Sequence, residues 1–264
     1  MKIYDCFTYF DEDLILDLRF NILNEFVDKF VIVECGEDHH GNKKKKNFQI
    51  GNFKKFQDKI IYFFLEDFGS LSNSWDRENY QRNFLQKGLG ISEPDDLILI
   101  SDADEIPNLR NLNLDDLNKF KFLVFEQKLF YYKLNLLCDN VNPWHGTKAC
   151  KKKYLKNPQW LRNAKSSKKY PFWRFDKINF KKISNGGWHF SYLKKSIDIQ
   201  KKIKSFAHTE FNKEEFFNLE NIEKSINECK DLFGRNYSYK KIKVDENFPD
   251  YILEHKEKFK DWIL

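Results

Sequence analysis

The stretch Leu97-Ile98-Leu99-Ile100-Ser101-Asp102-Ala103-Asp104-Glu105-Ile106-Pro107 decides how the chain reads. Four consecutive apolar residues predict a buried strand, and Pro107 stops it. Three carboxylates stand within four positions behind it. Crowding like charge at the end of a core strand gains no stability, so the arrangement points to a cation between them. A divalent ion takes carboxylate oxygens. Asp102 and Asp104, two apart in extended backbone, point to the same side and can reach one ion together. The alternative is a solvated acidic turn in which Pro107 opens a helix, because acidic side chains favour a helix N-terminus. Short Asp-x-Asp matches are common, and the motif alone leaves both readings open.

Outward from this stretch, the first hundred residues alternate strand and helix. Residues 3–9 are aromatic and β-prone. Asp11-Glu12-Asp13 offers capping carboxylates to a helix whose apolar face runs through Leu14, Leu18, Ile22 and Phe26. Phe30-Val31-Ile32-Val33, ending at Glu34, predicts a second buried strand, and Ile60-Ile61-Tyr62-Phe63-Phe64-Leu65 a third. Residues 37–47, with His39, His40 and four consecutive lysines, read as an exposed loop with solvated histidines. Residues 75–89 have helical spacing closed by Gly88 and Gly90. Buried strands alternating with helices predict a parallel α/β sheet, whose ligands bind beyond the C-terminal strand ends. Glu34, Glu66 and the Asp102 cluster all fall at such ends.

Beyond Pro107, leucines at 112, 114 and 117 suggest a short helix, and residues 122–136 form a β-prone stretch rich in Phe and Tyr. Residues 142–176 are lysine-rich and carry Trp144, Trp160 and Trp173. Helices are expected over 196–206, 213–232 and 249–264. The 264 residues read as a single domain, with a nucleotide-binding half over 1–107 and a second half with C-terminal helices over 108–264.

Composition narrows the classes. Hydrophobic residues at 41%, with 27 Phe, suffice for a sizeable core. The net charge of +6 is a small difference between 46 basic and 40 acidic residues and is no nucleic-acid signature. Five cysteines, odd in number and without a C-x-x-C spacing, argue against a disulfide framework or structural zinc and favour free thiols in a reducing compartment. No signal region and no apolar run of about 18 residues is present, so a soluble, cytoplasmic chain is expected. Its lysines leave room for peripheral contact with a membrane surface. The Walker A, G-x-G-x-x-G and G-x-S-x-G patterns are missing, which weighs against a P-loop ATPase, a common dinucleotide enzyme and an α/β-hydrolase.

Three further blocks carry chemistry. Trp75-Asp76-Arg77-Glu78-Asn79-Tyr80-Gln81-Arg82-Asn83 opens a helix with two of the chain's seven arginines, and guanidinium binds phosphate as a fork. Internal ion pairing on a surface helix is the competing reading. Gly186-Gly187-Trp188-His189-Phe190 sets a histidine behind two glycines, which allow close backbone approach to a ligand. His189 with two carboxylates is an ordinary divalent-metal set, against the alternative of a core histidine. Ser205-Phe206-Ala207-His208-Thr209-Glu210-Phe211 offers a second His and a carboxylate.

Taken in order with Tyr4-Asp5-Cys6-Phe7 and Val27-Asp28-Lys29-Phe30-Val31-Ile32-Val33-Glu34, these blocks resemble glycosyltransferase family 17 from residue 4 to about residue 211. The resemblance implies a GT-A-like fold, a UDP-N-acetylglucosamine donor, Mn²⁺ or Mg²⁺ as cofactor, and inversion at the anomeric carbon. It implies Asp102, Asp104 and His189 as metal ligands, with His208 second to His189. Asp5, Glu34, Arg77, Arg82, Asp102 and Trp188 would bind the nucleotide-sugar. Glu210 would be the base that takes the acceptor proton, with Asp176 and Glu126 behind it. The acceptor would be a glycan, glycolipid or glycoprotein, bound against the lysine- and tryptophan-rich segment over 142–173. With no anchor or stem read ahead of the domain, a cytoplasmic acceptor is expected. The rival readings are a metal-dependent nucleic-acid-processing enzyme and a non-catalytic carbohydrate-binding domain.

Overall fold

The computed structural model describes residues 1–141, 143–166, 179–205 and 213–264. Its first half is the expected parallel unit. Strands β1 (Ile3–Tyr9), β2 (Lys29–Cys35), β3 (Ile60–Leu65) and β4 (Leu97–Asp102) lie in the order β3-β2-β1-β4, every pair parallel. Helix α1 (Asp13–Leu23) crosses from β1 to β2, and α2 (Ser74–Phe84) leads from β3 towards β4. The continuous apolar runs follow from cover on both faces. Phe30, Ile32, Leu97 and Leu99 pack with α1, whereas Val31, Val33, Ile98 and Ile100 pack against Leu85, Leu89 and Leu161. The chain adds β2 and β3 on one side of β1 and then places β4 on the other. The strand order therefore reverses between β1 and β4, where Thr8 pairs with Asp102.

The second half extends this sheet with mixed pairing. After β5 (Glu105–Pro107) and a short helix α3 (Asp116–Lys119) comes the ten-residue strand β6 (Phe122–Tyr131). Strand β7 (Leu136–Cys138) is antiparallel to it, and β8 (Trp144–Lys151) joins β6 to β4 by antiparallel pairs. Helix α4 (Pro158–Asn163) is capped by the Asn157 side chain, which accepts from Trp160 N at 2.8 Å. Strands β9 (Phe180–Ile183) and β10 (Gly187–Ser191) run parallel along β6, and β10 is also antiparallel to β5.

The C-terminal region is less helical than expected. Helix α5 (Ser196–Ser205) matches its expected span. The segment over 213–232 is divided into α6 (Glu214–Phe217) and α7 (Leu219–Asn227) by Asn218, whose side chain caps α7 through Asn221 N. Strand β11 (Tyr239–Lys241) then pairs with β7. The expected helix over 249–264 is only α8 (Asp250–Glu254) with a 3-10 turn at Lys260–Trp262. Its apolar residues, Ile252 and Phe259, are buried without a continuous helix between them. Likewise α2 ends at Phe84 and continues as a 3-10 turn over Leu85–Leu89. Gly88 does not cap it: a Cβ there would stand 2.3 Å from Val31 Cγ1, so the glycine lets the turn sit on β2. Among the described residues no helix is long and apolar enough to cross a membrane.

Candidate active site

The acidic turn after β4 is held from below by Arg19, a residue the sequence reading passed over. Arg19 is fully buried on α1. Its Nε and Nη2 donate to the two carboxylate oxygens of Asp5 at 2.7 and 2.6 Å, and Nη2 also reaches Ser101 Oγ at 2.6 Å. Its Nη1 donates to the carbonyls of Asp102, Ala103 and Glu105 at 3.1, 3.0 and 2.8 Å. Three carbonyls of one four-residue turn are thereby drawn inward onto one guanidinium. Asp5 is the buried counter-charge of Arg19 and does not face the open side.

Above the turn, two more arginines take Asp102. Oδ1 accepts from Arg82 Nη2 at 3.0 Å and Oδ2 from Arg162 Nη2 at 2.6 Å. Arg162 also bonds both oxygens of the fully buried Glu105, at 2.7 and 2.9 Å, and Trp144 Nε1 donates to Glu105 at 2.8 Å. Arg82 reaches Glu78 at 2.7 Å and Gln159 on α4. Against the cost of desolvation, Arg162 and Arg82 hold the Asp102 carboxyl below its usual range.

Asp104 points elsewhere. Its Oδ1 lies 3.4 Å from His189 Nε2 and its Oδ2 3.4 Å from Lys202 Nζ on α5. The position of His189 follows from strand pairing: His189 is opposite Glu105 on β5 and Leu129 on β6, and Phe190 N donates to Asp104 O at 2.9 Å. The two glycines ahead of it make this fit. A Cβ on Gly187, whose φ is +133°, would stand 2.1 Å from Ile106 O, and one on Gly186 2.5 Å from Ile183 O. They let backbone approach backbone here. Burial opposes charge on Asp104, yet Lys202 and His189 hold it well below the usual carboxylate range. Burial also works against a charged His189, but Asp104 outweighs it and raises the ring. Among the described residues His189 Nδ1 has no hydrogen-bond partner.

Asp102, Asp104, His189 and Lys202 open onto a cavity of about 550 Å³ at the C-terminal strand edge. Thr8 and Tyr9 at the end of β1, Phe10 just beyond it, Asp38 and His39 beyond β2, and Arg82 on α2 line one part. Tyr131, Tyr192, Phe233, Arg235 and Tyr237 line another. His39, read from sequence as solvated, lines this cavity and shares a 2.9 Å hydrogen bond with Gln81. Its loop is tied down by Glu34, which is fully buried and accepts from Asn47 N at 2.7 Å, Phe48 N at 3.0 Å and the Tyr62 hydroxyl at 2.8 Å. Glu34 thus serves the loop and lies outside the cavity lining. Arg77 does the same, donating to the carbonyls of Leu71 and His39 at 2.9 and 3.1 Å. Trp188 is nearly buried and borders a separate cleft of about 730 Å³ beside Asn108 and Asn247. That cleft holds none of the acidic turn.

Of the proposed bases, Glu126 is engaged by Lys182 at 3.1 Å and His145 at 3.4 Å and lies outside the cavity lining. Glu210, Asp176, His208 and Trp173 lie outside the described residues. Within the lysine-rich segment, Trp144 faces the cavity, whereas Trp160 packs on Phe122 with rings 5.6 Å apart.

A family model for glycosyltransferase family 17 matches residues 1–261. The chain belongs to glycosyltransferase family 17. It is 36% identical over 104 residues to the human and rat beta-1,4-mannosyl-glycoprotein 4-beta-N-acetylglucosaminyltransferases, and 35% identical to the mouse one. Each match covers 35% of this family 17 chain and 19% of the relative, so the shared stretch is under a fifth of the relatives' length.

The family and the Asp-x-Asp pattern imply a divalent ion. Asp104 and His189 fit one: a carboxylate and an imidazole nitrogen face each other at the cavity wall, and Mn²⁺ or Mg²⁺ commonly leaves its remaining positions to water and phosphate. Both oxygens of Asp102 instead face guanidinium groups in this structure. Accordingly, among the described residues no three His, Cys, Asp or Glu side chains are gathered to hold a metal.

Proposed function

We propose that this family 17 chain transfers N-acetylglucosamine from UDP-N-acetylglucosamine to a glycan hydroxyl, with inversion at the anomeric carbon. The observation that carries the reading is the convergence of Asp104, His189 and Lys202 on a cavity at the point where the strand order reverses. Such a point is where open α/β sheets bind their ligands. The donor and acceptor classes come from the N-acetylglucosaminyltransferases that the chain resembles over part of its length.

In this reading Asp104 and His189 hold Mn²⁺ or Mg²⁺. The ion, when bound, offsets charge on the departing UDP. The chain's own groups bind and orient. Lys202 adds an ammonium beside the ion, suited to phosphate oxygens. Phe10 and the turn at Asp38 and His39 face the nucleoside side. Tyr131, Tyr192, Phe233 and Tyr237 present rings suited to sugar faces, with hydroxyls for the polar edges. Arg82 and Arg162 act through Asp102, fixing the turn that carries Asp104. Inversion needs a base to take the acceptor hydroxyl proton, and Glu210 is assigned that part.

The test is UDP release from UDP-N-acetylglucosamine with a panel of glycan acceptors, in Mn²⁺ and in EDTA. Metal-dependent release that is lost in Glu210→Gln supports the reading. Absence of turnover with every UDP-sugar, together with absence of UDP binding by calorimetry, overturns it.

A further inference from the structure

We infer that Lys202 is a displaceable counter-ion of the metal site: its ammonium holds Asp104 while the ion is absent and is released towards the donor diphosphate when the ion loads. The inference rests on the nucleotide-sugar reading above.

One carboxylate here faces two partners. Lys202 Nζ stands 3.4 Å from Asp104 Oδ2, and His189 Nε2 stands 3.4 Å from Oδ1. A lysine ammonium is a compact point charge, and it cannot share Asp104 closely with a divalent ion without strong repulsion. Loading the ion therefore requires Lys202 to give up its contact. The structure supplies a second seat. Glu12 Oε1 lies 3.8 Å from the same Nζ, and Glu12 is itself fixed by the backbone N–H groups of Phe10 and Asp11 at 3.0 and 3.1 Å. Lys194 stands 4.0 Å from the same oxygen of Glu12, so that seat holds its negative charge. Burial notwithstanding, Lys194 and Lys202 hold the Glu12 carboxyl below its usual range. The Lys202 side chain lies over the Tyr192 ring at 5.4 Å and borders the cavity. Ile199 and Ile203 on the same helix are fully buried, so the helix stays and the side chain swings.

The consequence is thermodynamic coupling. The ion competes with Lys202 for Asp104, and the ammonium it displaces becomes available to the anion that follows. Removal of the lysine should then move the two affinities in opposite directions, which a merely structural lysine would not do.

The experiment measures Mn²⁺ binding without nucleotide, by the electron paramagnetic resonance of free Mn²⁺, in wild type, Lys202→Met and Lys202→Arg. Lys202→Met is expected to bind Mn²⁺ about fivefold tighter or more, the lower range of site-to-site coupling, and to bind UDP at saturating Mn²⁺ weaker by a similar factor. Lys202→Arg, which keeps the charge, is expected not to tighten Mn²⁺ binding. Glu12→Gln is the second variant, for use should Lys202→Met not fold. With its second seat gone, the ammonium clamps Asp104 and Mn²⁺ binding weakens. Unchanged or weaker Mn²⁺ binding in folded Lys202→Met, or unchanged binding in Glu12→Gln, overturns the counter-ion role. A wild type that binds neither Mn²⁺ nor UDP instead overturns the nucleotide-sugar reading on which it rests.

Discussion

Replacing Arg19 by Lys keeps the charge and removes the fork. In the structure five N–H donors of one guanidinium serve six acceptors: both Asp5 oxygens, Ser101 Oγ, and the carbonyls of residues 102, 103 and 105. A lysine ammonium has three donors on a single atom and cannot span this set. At least three acceptors are left unserved in a fully buried place, and each such loss costs about 1 kcal/mol or more. The sum is about 3 kcal/mol, a large share of the roughly 5–15 kcal/mol that holds a domain together. For a chain of this size the melting temperature should fall by roughly 6–12 °C. Thermal unfolding followed by circular dichroism reads this directly, and urea unfolding with unchanged m-value confirms that stability is what moved. Because the three carbonyls belong to the turn that carries Asp104, Mn²⁺ binding should weaken in the folded variant as well. A shift below about 2 °C with Mn²⁺ binding intact would refute the claim that Arg19 organises the turn.

Other expectations follow from single contacts. Gly187→Ala sets a Cβ against Ile106 O at a φ of +133°, so the β5–β10 pairing must open, at a cost of about 3 kcal/mol or more and with loss of Mn²⁺ binding. Wild-type-like melting in that variant contradicts the fit. Glu34→Gln removes the charge that gathers Lys44, Asn47, Phe48 and Tyr62, and should cost about 1–3 kcal/mol and speed amide exchange at Asn47 and Phe48. Exchange rates equal to wild type would speak against the anchor. Burial, joined by Arg162, pushes the Lys148 ammonium down to about 8 from an ordinary 10.5. Between those values the unfolded chain keeps a proton that the folded chain has released. The penalty is thus full below pH 8, and stability should rise with pH through that window, by roughly 3 kcal/mol at most. Lys148→Met should flatten the rise, and an identical slope in both proteins would count against it.

The parts of the fold legible in the sequence are those written in local pattern. The runs at 30–33, 60–65 and 97–100 are apolar on consecutive positions, and only strands covered on both faces call for that. The acidic turn and the Gly-Gly-Trp-His block were legible because their residue types are costly without a reason. What the sequence hid depends on partners far along the chain. Arg19 sits between Leu18 and Phe20 as one charge in an apolar face, and its partners on the acidic turn lie more than 80 residues away. A charge at a core-facing helix position was the available signal. Arg162 had no such mark, since lysines surround it in sequence and its targets, Asp102 and Glu105, lie about 60 residues back. The strand-end rule raised Glu34 as a ligand contact, and the resemblance raised Asp5, but Asp5 lies within β1 and serves a buried arginine, and Glu34 serves a loop. Position along a strand cannot separate these uses. The C-terminal apolar spacing suggested one long helix, yet Ile252 and Phe259 reach the core from separate short segments.

The central claim is that Asp104 and His189, and not Asp102, hold the ion that assists a departing UDP. Anomalous diffraction from crystals soaked in Mn²⁺ and UDP tests it most directly. A single manganese peak is expected between Asp104 and His189 with the diphosphate beside it, Lys202 withdrawn from Asp104, and Asp102 still on Arg82 and Arg162. A peak ligated by Asp102, or UDP bound with no peak at Asp104, would contradict it.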